Sequence, residues 1–143
     1  MTGVYLGFDF GARRIGVAAG QPVTRSAGPV ETIAAHAGEP DWRAIDRLVR
    51  DWAPEALVVG IPVHMDGTEQ AETARARAFA RRLAERYGLP VHEADERLSS
   101  REAEGLIADA RRAGRRRRTR KGDVDRMAAS LILERWLAEH AAD

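Results

Sequence analysis

Val4–Gly20 reads VYLGFDFGARRIGVAAG, and the fold turns on this stretch. Val4–Phe10 is a short apolar run that ends in Asp9, Phe10 and Gly11, which predicts a buried strand. Arg14–Gly20 follows after a turn at Gly11–Arg13, so the two segments should form a hairpin. One residue breaks the pattern. Asp9 sits in the otherwise apolar first strand beside Leu6, Phe8 and Phe10, and a carboxylate there is costly to bury unless a cation meets it. Two cations would serve: a metal ion at the centre of the sheet, or the guanidinium of Arg13 or Arg14.

Working outward, Pro29–Ala34 reads as a third strand, its start blurred by Pro22, Ser26, Gly28 and Pro29. Asp41–Trp52 carries Trp42, Ile45, Leu48, Val49 and Trp52 at helical spacing, with Asp41 as cap and Pro54 as stop. Ala56–Ile61 (ALVVGI) is too short for a helix and rich in β-branched residues, as a central strand buried on both faces would be. Pro62–Thr68 is a loop with a turn at Asp66–Gly67, Glu69–Tyr87 a helix stopped by Gly88, and Leu89–Ala94 a strand. Ser99–Arg112 reads as a helix, Ala113–Gly122 as a mobile basic loop, and Asp123–Ala141 as a last helix with Met127, Leu131, Ile132 and Trp136 inward. A β-meander passing into alternating helix and strand predicts an α/β fold. Its mixed five-stranded sheet would start as an antiparallel meander, continue in parallel strands and be flanked by helices.

The chain has 143 residues, the size of one compact domain, and its 44% hydrophobic content suffices for a single core. It lacks cysteine, which excludes disulfides and thiolate metal sites. No apolar run approaches the ~20 residues of a membrane span, and the N-terminus lacks the order of a signal peptide. The simplest expectation is a cytoplasmic protein, a monomer or weak homodimer, with no membrane partner.

Net charge is only +1, but its distribution is uneven. Arg111–Lys121 reads RRAGRRRRTRK, eight basic residues with no acidic one, so the remainder of the chain is net acidic. Such a run is either a solvated loop or a phosphate-binding segment. Its arginine content favours phosphate, which the guanidinium grips bidentately.

Two further places where core elements meet loops carry acidic residues. Asp95 and Glu96 follow the last strand in DERLSS, at the carboxyl end where open α/β sheets place their sites. Successive strand residues face opposite ways, so only one of the two should face a site there. Asp123 and Asp125 open the last helix, where an Asp is ordinarily a cap. Asp9, Glu96 and Asp125 together would offer hard oxygen ligands suited to Mg²⁺ or Mn²⁺. Their spacing alone does not show that they converge. The four histidines have no zinc-site spacing, and neither a P-loop nor a nucleophile elbow is present.

Four blocks, GFDFGARRIGVAAGQ, VVGIPVHMDGTEQAETARARAFARRL, DERLSSREAE and KGDVDRMAASLILERWL, jointly resemble the YqgF/RuvX family across nearly the whole chain and in the right order. These are RuvC-like proteins of RNase H fold, described as pre-16S rRNA nucleases and earlier as Holliday junction resolvases. The resemblance implies a single domain over residues 1–143, with Asp9, Glu96 and Asp125 as metal-binding catalytic carboxylates. It also implies that the Gly60–Thr68 loop and Glu69–Gln70 border the cleft. One departure stands out. RuvC-type resolvases carry a carboxylate at the end of the strand matching Ala56–Ile61, where this chain has Gly60 and Ile61. Glu96 on the neighbouring strand would have to replace it, with Asp95 as competitor.

The expected activity is metal-dependent phosphodiester hydrolysis in precursor 16S rRNA, with ribosomal particles as possible partners. Branched DNA is the alternative substrate, and a non-catalytic RNA- or ribosome-binding factor the alternative class. Arg13, Arg14, Arg115, Arg116, Arg117, Arg118, Arg120 and Lys121 are the expected contacts to nucleic acid.

Overall fold

The computed structural model describes residues 3–63, 66–95 and 121–140. Six strands form one sheet: β1 (Tyr5–Asp9), β2 (Arg14–Gln21), β3 (Ser26–His36), β4 (Glu39–Pro40), β5 (Ala56–Ile61) and β6 (Val91–Asp95). The spatial order is β4-β3-β2-β1-β5-β6. Strands β1 to β4 pair antiparallel, whereas β5 joins β1 and β6 joins β5 in parallel. This is the expected RNase H-like sheet, with a two-residue strand, β4, added at its edge. Helix α1 (Trp42–Trp52) connects β4 to β5, α2 (Ala71–Tyr87) connects β5 to β6, and α3 (Lys121–His140) closes the described chain. Among the described residues, no helix is long and apolar enough to cross a membrane.

Strand periodicity sorts the side chains into two layers. Leu6 and Phe8 of β1 and Phe10 just beyond it, with Ile15, Val17, Leu57, Val59 and Ile61, pack under α1 and α2 through Ile45, Leu48, Ala76, Phe79 and Leu83. Phe79 touches the rings of Phe8, Phe10 and Trp42, with centroids 5.7, 4.9 and 6.0 Å away. On the other face, Ala18, Val58 and Ala94 pack against Ala129, Ile132, Leu133, Trp136 and Leu137 of α3. Fully burying each large apolar side chain contributes roughly 1.5–3 kcal/mol. The central strand β5 is buried at all six positions because both layers cover it.

Several boundaries differ from the sequence reading. β3 starts at Ser26 rather than Pro29: its register with β2 slips between Val17 and Ala18, leaving Val30 unmatched, and Pro29 and Gly28 then pair with Ala18 and Ala19. α2 starts at Ala71. Gln70 caps it, its side chain accepting from the Thr73 backbone while its own N–H donates to Thr73 Oγ1 at 2.9 Å. Asp41 occupies the N-cap of α1 without a side-chain cap bond. α3 begins at Lys121, so Lys121 and Gly122 are helical rather than part of the expected loop. Its buried stripe runs through Ala129, Leu133 and Leu137, leaving Met127 and Leu131 half-buried. Ile132 and Trp136 are buried as expected, and glycines of the sheet let the helix approach closely. A Cβ on Gly7 would lie 2.8 Å from Leu133 Cβ.

Candidate functional site

Asp9 is the last residue of β1, at the carboxyl end of a strand lying between β2 and β5. Tyr5 and Gly7, the alternate positions before it, meet Trp136 and Leu133 of α3. Period-two alternation therefore aims the Asp9 side chain to the α3 face. Across the sheet, Asp9 is paired with Gly16, and Gly16 with Thr32. α3 crosses along this row. A Cβ on Gly16 would sit 2.0 Å from the carbonyl oxygen of Asp125, so only glycine allows the helix to lie there. Asp125 is thereby brought over the strand position next to Asp9. The helix start has a second anchor, since Arg126 Nη1 donates to Thr32 Oγ1 at 2.9 Å and Nη2 donates to Asp123.

Arg14, at the start of β2, donates through Nε to Asp125 Oδ2 at 2.8 Å. Of the two guanidinium partners considered for Asp9, the structure thus gives Arg14 to Asp125. The pair is partly exposed, with side-chain accessibilities of 36% and 23%. Arg13 is exposed beside it and forms no ion pair among the described residues.

At the end of β6, Val91 packs with the α1–α2 layer, and His92 stacks on Trp136 of α3 with centroids 4.7 Å apart. Glu93 returns to the α2 side, where its Oε1 lies 3.5 Å from Arg77 Nε, and Ala94 belongs to the α3 layer. Asp95, one step further, lines a cleft of about 270 Å³ with Ile61, Val63, Gly67, Arg77 and Glu93. Asp95 therefore belongs to the face opposite Asp9. The loop bordering this cleft is held by Thr68, whose N–H and Oγ1 donate to Asp66 Oδ1 at 2.9 and 2.7 Å.

Glu96 lies outside the described residues, as do Arg115, Arg116, Arg117, Arg118, Arg120 and the expected helix over Ser99–Arg112. Lys121 opens α3. Among the described residues, no group of three or more His, Asp or Glu side chains is arranged to hold a metal. Asp9 and Asp125 supply two carboxylates on one face at one end of the sheet, a donor set of hard oxygens that fits a divalent cation such as Mg²⁺ or Mn²⁺. Sequence reasoning missed Gly16 as the crossing point and Arg126 as the second anchor. The signal for Gly16 was present as a glycine inside a strand pattern, which marks a close backbone approach.

Comparison with known proteins gives the family of the chain. A profile of the RuvX family, described as Holliday junction resolvase, matches residues 3–139. A candidate pre-16S rRNA nuclease of Legionella pneumophila (strain Philadelphia 1) is 50% identical over 137 residues, covering 96% of both chains. One from Azotobacter vinelandii is 51% identical over 138 residues, covering 96% of this chain and 94% of its own. Among solved structures, Thermus thermophilus RuvC in complex with a Holliday junction substrate aligns with a TM-score of 0.55 at 19% identity, covering 96% and 94% of the two chains. Fowlpox virus resolvase with Holliday junction DNA aligns with a TM-score of 0.57 at 9% identity, covering 95% and 97%. At such identities the two structures share the fold alone.

Proposed function

This chain belongs to the RuvX family, and we propose that it is a metal-dependent nuclease that hydrolyses phosphodiester bonds in precursor 16S rRNA during ribosome biogenesis. The observation that carries this reading is the Asp9–Gly16–Thr32 row, over which α3 sets Asp125 beside Asp9. Asp9 and Asp125 would hold the metal together with Glu96. Asp95 belongs to the α2 face, away from Asp9, which supports Glu96 rather than Asp95 as the third ligand.

Bound Mg²⁺ or Mn²⁺ supplies charge neutralisation at the scissile phosphate and a more acidic water. The chain's own residues do the rest. Asp9, at the end of a buried strand, is a rigid ligand, and Asp125 is fixed by the backbone contact with Gly16. Arg13 and Arg14, on the turn and strand beside Asp9, are placed to meet phosphates flanking the reacting one. Arg115, Arg116, Arg117, Arg118, Arg120 and Lys121 extend that contact, in sequence only a few residues from Asp125. The whole of residues 1–143 acts as one domain in the cytoplasm, with ribosomal particles as the setting for the substrate.

A second reading, resolution of branched DNA, is favoured by the fold shared with the junction-bound resolvases. A cleavage assay on precursor 16S rRNA beside a four-way DNA junction, with Mg²⁺ and with Mn²⁺, separates the two. Cleavage of the rRNA with an intact junction is the expected result. Cleavage of the junction alone would replace this reading with the second, and cleavage of neither would leave a binding factor.

A further inference from the structure

Arg14 and Asp125 come from β2 and α3, yet their ion pair is not what docks the helix. The start of α3 is already fixed by the Asp125 carbonyl over Gly16 and by the hydrogen bond from Arg126 to Thr32. The pair uses one guanidinium nitrogen, Nε, on one carboxylate oxygen, Oδ2. Among the described residues, the terminal nitrogens of Arg14 and the Oδ1 atom of Asp125 have no other partner. A cation and an arginine cannot share Oδ2 without placing two positive charges in contact, which is unfavourable in a partly desolvated site. Without either of them, Asp125 would meet the like charge of Asp9 with no cation on its own carboxylate.

From this geometry we infer that Arg14 is the resident counter-ion of the metal site. It holds Asp125 Oδ2 until a divalent cation takes that oxygen, and the released guanidinium then binds the substrate phosphate. The inference rests on the reading of Asp125 as a metal ligand. The exchange keeps the Asp125 carboxylate compensated in both states and frees Nε to join the terminal nitrogens in a bidentate phosphate-binding fork only once the metal is in place. An ion pair this exposed is weak, so a metal ion can displace it readily.

The test follows the Arg14 Nε–H resonance in ¹⁵N spectra during titration with MgCl₂, assigned by its absence in Arg14→Gln. Calorimetry of MgCl₂ binding runs in parallel on wild type, Arg14→Gln and Asp125→Asn. The resonance should be protected from exchange without metal, then shift and lose protection with the calorimetric midpoint. Arg14→Gln should bind Mg²⁺ about threefold tighter, the size of effect expected from removing a weak competing pair. A resonance indifferent to saturating Mg²⁺, or weaker Mg²⁺ binding by Arg14→Gln, would make the pair structural and overturn the inference. In that case loss of Mg²⁺ binding in Asp125→Asn would still uphold the metal site. Unaltered binding in Asp125→Asn would remove the metal-ligand reading and the inference with it.

Discussion

Asp9 was legible as an anomaly because a charge inside an apolar strand has few explanations. What the residue pattern left open was its neighbour. Asp125 is far from Asp9 in sequence, and nothing in spacing shows that α3 returns over β2. The contact depends on a missing side chain at Gly16, so it is written in the sequence only as an absence. The consequence is sharp. Gly16→Ala would drive a methyl group into the Asp125 backbone, where the nearest atom is 2.0 Å away. We expect a destabilisation of about 3 kcal/mol, at the upper end of overpacking costs because backbone rather than a flexible side chain must move. Mg²⁺ affinity should fall with it, as Asp125 is pushed away from Asp9. Chemical denaturation and calorimetry check both, and wild-type stability in Gly16→Ala would show that the helix does not press on this strand.

At the scale of elements, hydrophobic periodicity located every described strand and helix to within a few residues, apart from the two-residue β4. It erred where tertiary contacts decide. β3 extends through Gly28 and Pro29 because both pair in register with Ala19 and Ala18 of β2, beyond a slip that leaves Val30 unmatched. On α3, Ile132 and Trp136 are buried as their spacing predicted, whereas Met127 and Leu131 are only half-buried and Ala129, Leu133 and Leu137 complete the stripe against the sheet. Charge links were invisible in advance. Asp46 of α1 accepts two bonds at 2.8 Å from Arg86 of α2, and Tyr87 Oη donates to the same carboxylate at 2.5 Å. The Arg86 bonds, and then that of Tyr87, hold the Asp46 carboxyl down at about 2, from an ordinary 3.8. A depressed carboxyl stabilises the fold above its unfolded pKa, and the contribution is lost as pH falls through the folded one. Asp46→Asn should therefore lower the unfolding free energy at neutral pH, by about 1 kcal/mol or less for so exposed a pair. The deficit should shrink between about pH 4 and about pH 2. A deficit independent of pH would mean that packing, not charge, joins these helices through Asp46.

For the molecule as a whole, the mixed sheet and its two helical layers were readable because strand and helix periods alternate along the chain in an order that few topologies satisfy. The family was readable from four motif blocks together. The site was readable as residue types and only partly as geometry. Asp9 and Asp125 fall on one face of one sheet end, Asp95 on the other, and Glu96 lies outside the described residues. These placements join into one claim, that carboxylates at the end of β1 hold a metal on which phosphodiester hydrolysis depends.

The most direct measurement is cleavage of precursor 16S rRNA by wild type and Asp9→Asn, with Mg²⁺ and with the metal chelated, alongside thermal melting of both proteins. Wild type should cut only with metal and gain melting temperature from it through mass action. Asp9→Asn should lose cleavage and that gain, yet stay folded, because Asn has nearly the same size and removes a charge from a half-buried strand end. Full cleavage by folded Asp9→Asn, or wild-type cleavage with all metal chelated, would contradict the claim.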